Sequence, residues 1–168
     1  MRDLRIEKLA NNLLNHSINL QKEEKILIEI IGMEAIPLGK ELIRQAENIG
    51  ATPFFNIIDH EIMREMLING TEEQMQMYAK HDLQRMKDMD AYVGVRASTN
   101  TAELNGISKE KLNQALYILE MEGYPVYGGR VPQATNPGKF TTLSVVCPPG
   151  TEHRDIYDFE NIHSLRDY

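Results

Sequence analysis

The sequence predicts an α/β fold: three layers, with a mainly parallel sheet of about four to five strands and helices on both faces. Three observations predict it. Apolar, β-rich runs alternate with segments of helical periodicity through most of the chain. The first run, Lys25–Ile31 (KILIEII), is apolar at nearly every position, as in a strand covered on both faces. Helical segments separate the runs, which is the order of βαβ units with right-handed crossovers.

Each element has its own local reason. Asp3–Asn19 reads as an amphipathic helix, with Ile6, Leu9, Ala10, Leu13 and Leu14 on one side. The first strand, Lys25–Ile31, follows a charged turn. Pro37–Ile49 is the next helix: proline loses nothing in a first turn, where its N–H would have no partner. Gly50 supplies the C-cap, and Leu38, Leu42, Ala46 and Ile49 form the apolar stripe. Pro53–Ile58 (PFFNII) is the second strand, with proline at its start.

Two helices follow. His60–Ile68 ends near Asn69-Gly70, and the capping-box sequence Thr71-Glu72-Glu73-Gln74 starts a helix that runs to about Met89. Ala91–Ala97 (AYVGVRA) is the third strand. Ser108 can cap a further helix, with Ile107 packing on Leu112, and Gly123 ends it. Gly128-Gly129 and Asn136-Pro137-Gly138 mark turns before a strand at Phe140–Val146. Cys147-Pro148-Pro149-Gly150 is the natural boundary. The expected organisation is therefore an α/β domain over residues 1–150 and a polar, aromatic C-terminal tail over 151–168.

Composition excludes several functions. A formal charge of −7 with no cluster of Lys and Arg opposes binding to nucleic acid or to an anionic membrane surface. The longest apolar stretch, Ile26–Ile31, is interrupted by Glu29 and cannot span a bilayer. The charged N-terminus lacks the apolar run of a signal peptide. A single cysteine, Cys147, fits a reducing compartment, so the expected location is cytoplasmic.

A search for chemistry gives few candidates. His60-Glu61 opens like the zinc motif H-E-x-x-H, but position 64 is Arg64 and the second ligand is missing. Glu160 and His163 make one Glu-x-x-His, where a carboxylate-bridged metal pair needs that motif twice; the tail as a whole (Glu152, His153, Asp155, Asp158, Glu160, His163) offers oxygen and nitrogen ligands, with His153, Glu160 and His163 the candidates, and a solvated charged tail is the plainer reading. Six methionines lie between Met63 and Met89; the spacing of Met75, Tyr78, Ala79 and Met86 reads as helix packing. Cys147 shows no neighbouring base and reads as buried and inert. No glycine-rich phosphate loop follows any strand, and Glu34 sits where a phosphate would lie. Ligands of open α/β sheets bind at the carboxyl ends of strands, where Arg96 and Asn100 are the polar candidates. Arg96 can hold a carboxylate; a salt bridge at a surface is its plainer role.

The ordered text of the chain adds something that spacing does not. MRDLRIEKLANNLLNHSINLQKEEKILIEIIG, ELIRQAENIGATPFF and RMKDMDAYVGVRAS together resemble the opening of the thermophilic metalloprotease family of aminopeptidases. Arg130-Val131-Pro132 and the strand beginning Lys139-Phe140 resemble its following segment. The resemblance extends well to Arg96, less closely to Pro148, and not over the tail. It implies the N-terminal, non-metal-binding domain of a metallo-aminopeptidase, whose family activity is release of N-terminal amino acids from peptides. A pair of divalent metals, zinc or cobalt, is implied for the full-length family. No metal ligand carries over, because no position here matches one, and no cofactor is expected for this chain itself.

The expected partners follow: a homo-oligomer, or a missing catalytic half that a truncated chain would lack. Two other readings stand beside this one. The chain can be a non-enzymatic module that binds a small molecule or a protein, or a minimal metallopeptidase using tail ligands across a dimer.

Overall fold

The computed structural model describes residues 3–98, residue 107 and the strand at 140–146. The first helix, α1 (Leu4–Asn11), is capped by Asp3, whose carboxylate accepts from the Arg5 backbone N–H. The Arg5 side chain also donates to Asp3 and holds its carboxyl below the usual carboxylate range. The helix does not run on unchanged to Asn19 as its periodicity suggests. It passes into a π-helical segment at Asn12–Ser17, which leaves Leu13 and Leu14 buried as expected.

Strand β1 (Lys25–Ile31) is followed by a 3-10 turn at Met33–Ala35 and by α2 (Ile36–Ile49). Gly50 ends α2 at φ 88°, a left-handed conformation that glycine adopts without cost. Then come β2 (Thr52–Ile58), α3 (His60–Asn69), α4 (Glu72–Lys87), β3 (Ala91–Ser98) and β4 (Phe140–Val146). Asp59 caps α3 and Thr71 caps α4, each accepting backbone N–H groups of the first turn. The helix expected after Ser108, the residue Cys147 and the tail over 151–168 lie outside the described residues.

The four strands form one parallel sheet in the order β2-β1-β3-β4. This is the predicted α/β class at the lower end of the expected strand number. Alternation along β1 divides its side chains between two layers. Ile26, Ile28 and Ile30 join Ala91, Val93, Val95 and Ala97 of β3 in the main core, which α1 and α2 cover with Leu9, Leu14, Leu38, Leu42 and Ala46. The approach of α2 is close: a Cβ on Gly39 would stand 2.2 Å from the Ile30 Cδ1. The opposite face is more sparsely apolar. There Leu27 packs with Tyr92 and Met89, and Met86 of α4 leans on them. Met75 and Ala79 are buried with Met66 and Leu67 in a separate α3–α4 cluster, so two of the methionines predicted to pack do so.

One feature of β2 is not visible in its sequence. Among the described residues β2 pairs only with β1 and so forms an edge of the sheet. Phe54, Phe55 and Ile57 are 42%, 61% and 45% exposed. Edge strands usually carry charges or bulges that discourage further pairing; Thr52–Ile58 carries no charge.

Candidate functional site

The connections determine where a ligand can enter. From β1 the chain passes through α2 to β2 on one side; from β2 it passes through α3 and α4 to β3 on the other side of β1. The order therefore switches between the carboxyl ends of β1 and β3, and open α/β sheets bind ligands in that crevice.

Gly32 stands at this switch point. Its φ is 87°, and a Cβ there would lie 1.8 Å from the Ala97 carbonyl oxygen, so only glycine fits. Its N–H donates to the Ile58 carbonyl at 3.0 Å, tying the end of β1 to the end of β2. Glu34 follows directly, and its Oε2 lies 3.3 Å from where that Cβ would be. Arg96, opposite Ile31 in the β1–β3 register, is half-buried on the neighbouring strand. Glu34 and Arg96 are both engaged in interactions of their own. Arg96 thus lies near the carboxyl end of β3, already engaged within the chain. Asn100, His153, Glu160 and His163 lie outside the described residues.

Beside the crevice lies an apolar pocket of about 250 Å³, lined by Met33, Ile57, Ile58, Ile62, Met63 and Tyr78 with others. Beneath it, between the sheet and α4, is a polar layer. Glu29 sits in the middle of the central strand and is 3% exposed. Its Oε2 accepts from the Tyr92 hydroxyl at 2.8 Å, and its Oε1 accepts from the Asn56 Nδ2 at 3.1 Å. One carboxylate thereby joins β1, β2 and β3. The Tyr92 ring reaches it by folding over Gly94, where a Cβ would stand 2.7 Å from the phenolic oxygen.

From α4, Asp82 and Tyr78 face this layer. Asp82 is buried and accepts from the Arg85 guanidinium one turn on. Burial pushes the Tyr78 phenol up from its ordinary value of 10.0; the Asp82 charge adds to that, Arg85 opposes it, and Glu29 adds a smaller push. The sequence marks Glu29 only as a break in an apolar run. A carboxylate inside a strand buried on both faces must find hydrogen-bond donors, and that requirement is the signal that reveals it.

Chemically, this arrangement can orient a polar group or hold an apolar one beside a phenol. It does not fit a metal pair. Among the described residues no three His, Cys, Asp or Glu side chains come together in a way that could hold an ion. The two buried carboxylates are committed, Glu29 to Tyr92 and Asn56, and Asp82 to Arg85. His60, the start of the incomplete zinc motif, is buried at the first position of α3. No helix among the described residues is long and apolar enough to cross a membrane.

Comparison with known proteins gives a family and a fold. The family model described as thermophilic metalloprotease (M29) matches residues 2–118. Among solved structures, wild-type AmpT from Thermus thermophilus superposes with a TM-score of 0.63 at 20% identity over 92% of this chain. The chain spans 41% of the length of that protein. The crystal structure of the CurK enoyl reductase aligns over 90% of this chain and 43% of its own at 16% identity, but its TM-score of 0.36 supports no argument. No curated protein matches the chain.

Proposed function

Starting from a chain that belongs to the thermophilic metalloprotease (M29) family, we propose that residues 1–150 are the N-terminal, non-metal-binding domain of a metallo-aminopeptidase. The reaction proposed for the whole enzyme is release of N-terminal amino acids from peptides. In such enzymes a pair of metal ions polarises the peptide carbonyl and supplies a nucleophilic hydroxide. The ligands for that pair belong, in this reading, to a catalytic half outside residues 3–98.

The observation that carries the reading is the combination of a family match across residues 2–118 with a described domain whose buried carboxylates are spent on structure. A partner is part of the proposal. The uncharged, apolar edge at Phe54, Phe55 and Ile57 is a surface suited to a catalytic half or to a second copy.

The test is metal analysis of the purified chain together with release of p-nitroaniline from Leu-p-nitroanilide, with and without added Co²⁺ or Zn²⁺. The expected outcome is no turnover and no stoichiometric metal. Bound metal with turnover abolished by a chelator would instead establish a minimal peptidase, with His153, Glu160 and His163 the first residues to test as ligands.

A second reading is favoured by the pocket of about 250 Å³ beside the strand-order switch. It makes the domain a binding module for a small apolar molecule, independent of hydrolysis. Thermal shifts with hydrophobic amino acids at millimolar concentration separate this from the first reading.

A further inference from the structure

The backbone of β2 (Thr52–Ile58) has a direction that its one neighbour determines. The Thr52 N–H donates to the Glu24 carbonyl at 2.8 Å, and the Ile58 carbonyl accepts from the Gly32 N–H at 3.0 Å. In a parallel ladder alternate residues turn their N–H and C=O toward the same neighbour. Thr52, Phe54, Asn56 and Ile58 therefore face β1, while Pro53, Phe55 and Ile57 face outward. Among the described residues no strand lies on that outer side, and no hydrogen bond takes up the main-chain groups of Phe55 or Ile57. Donors and acceptors repeating at strand spacing are matched by another strand.

Side chains say which strand. The hydrogen bond from Asn56 to Glu29 assigns the two faces: Phe54, Asn56 and Ile58 lie on the Glu29 side, and Phe55 and Ile57 on the side of Ile28 and Ile30. Apolar surface is therefore open on both faces of the edge, at Phe54 on one and at Phe55 and Ile57 on the other. A second copy of β2, antiparallel about a two-fold axis at Asn56, matches this edge. Phe55 of each copy lies opposite Ile57 of the other, and the two exchange both of their main-chain hydrogen bonds, so every outward N–H and C=O of these residues is paired. On the other face Phe54 lies opposite Ile58 of the second copy. Aromatic residues opposite β-branched ones are favourable cross-strand pairs. The strand carries no charge, so the two-fold sets no like charges against each other. Pro53 selects the register: with the axis one residue earlier, at Phe55, the Ile57 carbonyl would face the Pro53 nitrogen, which has no hydrogen to give.

We infer that the chain dimerises by antiparallel pairing of its β2 edges, with Phe55 and Ile57 exchanging main-chain hydrogen bonds, so that two sheets become one. This gives an occupant and a register to the partner surface in the proposed function. It does not depend on hydrolysis, so the turnover assay and the test below fail separately.

The test uses the full 168-residue chain. Light scattering gives its mass, and amide hydrogen exchange read by NMR gives the site. The expected result is a dimer at millimolar concentration, in which the Phe55 and Ile57 amides exchange at least tenfold more slowly than in dilute, monomeric samples. The Phe54 and Asn56 amides, already bonded to β1, change far less. In mixtures of labelled and unlabelled chain, isotope-filtered NOEs connect Phe55 of one copy to Ile57 of the other. Phe55→Pro removes an outward donor and no bond to β1, and edge strands accept proline where the N–H faces solvent. It is expected to be monomeric with the Val93 and Val95 amides of β3 still protected, whereas Phe55→Val keeps the donor and the dimer. Should Phe55→Pro fail to fold, the exchange pattern of the wild type decides alone. A wild-type monomer at millimolar concentration would overturn the inference and leave the edge to a catalytic half. A dimer whose Phe55 and Ile57 amides exchange as they do in dilute samples would also overturn it, as would a folded Phe55→Pro that still dimerises.

Discussion

The hydroxyl of Tyr92 donates to the carboxylate of Glu29 at 2.8 Å across the backbone of Gly94, in a layer sealed from water between β1, β3 and α4. Because Glu29 also accepts from Asn56, it is the one side chain among the described residues that binds hydrogen-bond donors from both neighbouring strands of β1. Tyr92→Phe is expected to cost about 1–3 kcal/mol, the penalty of leaving a buried acceptor short of a partner. Glu29→Gln should cost a similar amount, and the double variant less than the sum, because both remove one interaction. Urea titration of the four proteins checks this. Additive losses would show that the two groups do not act as a unit.

The contact of Gly39 with Ile30 predicts a second cycle. Gly39→Ala places a methyl 2.2 Å from the Ile30 Cδ1, and overpacking of this kind costs about 1–3 kcal/mol. Ile30→Val removes that Cδ1 and should return part of the loss in the double variant. If Gly39→Ala is equally destabilising in both backgrounds, the helix is held off the sheet by something other than this contact.

Tyr78 gives the pH dependence. Its phenol is raised first by burial and then by the Asp82 charge. In the unfolded chain it ionises near its ordinary value of 10.0, while the folded protein keeps it protonated to higher pH. The folded state therefore binds more protons above that value, and stability falls as pH rises through the folded pKa. Below 10 the contribution is fully present. Unfolding curves between pH 9 and 11.5 should show an alkaline loss of stability that is shallower in Tyr78→Phe. An unchanged slope would place another group at its origin.

The edge strand predicts association. Phe55 is 61% exposed on a strand without charge. Phe55→Lys should shift the chain toward monomer in light scattering at high concentration and leave its unfolding free energy within about 0.5 kcal/mol of the wild type, as for other surface changes. A monomeric wild type at the same concentration would contradict the proposed partner surface.

Much of this architecture was legible in the residues. KILIEII identifies a strand buried on both faces, and β1 has a neighbour on each side and a layer above and below. Pro37, Gly50 and Thr71 mark helix ends that the structure places within a residue or two. Local physics determines those features, so local text reveals them. PFFNII reads equally well as a central strand; only the crossover to the far side of β1 makes it an edge, and crossovers are a property of the whole chain. The π-helical segment at Asn12–Ser17 escaped because burying Leu13 and Leu14 satisfies either helix period.

The position of Glu29 also bears on the order in which the sheet assembles. Its two donors come from residues 27 and 63 positions away in the chain. Closing the longer loop costs about 0.7 kcal/mol more, since each doubling of length adds about 0.6 kcal/mol. The unit from β1 through α2 to β2 is therefore the cheaper nucleus, and β3 docks onto it afterwards, bringing Tyr92. On that route, truncating Asn56 slows refolding, whereas truncating Tyr92 mainly speeds unfolding. One buried carboxylate then serves as a clock hand, reading the β1–β2 pairing through one oxygen and the later β1–β3 pairing through the other.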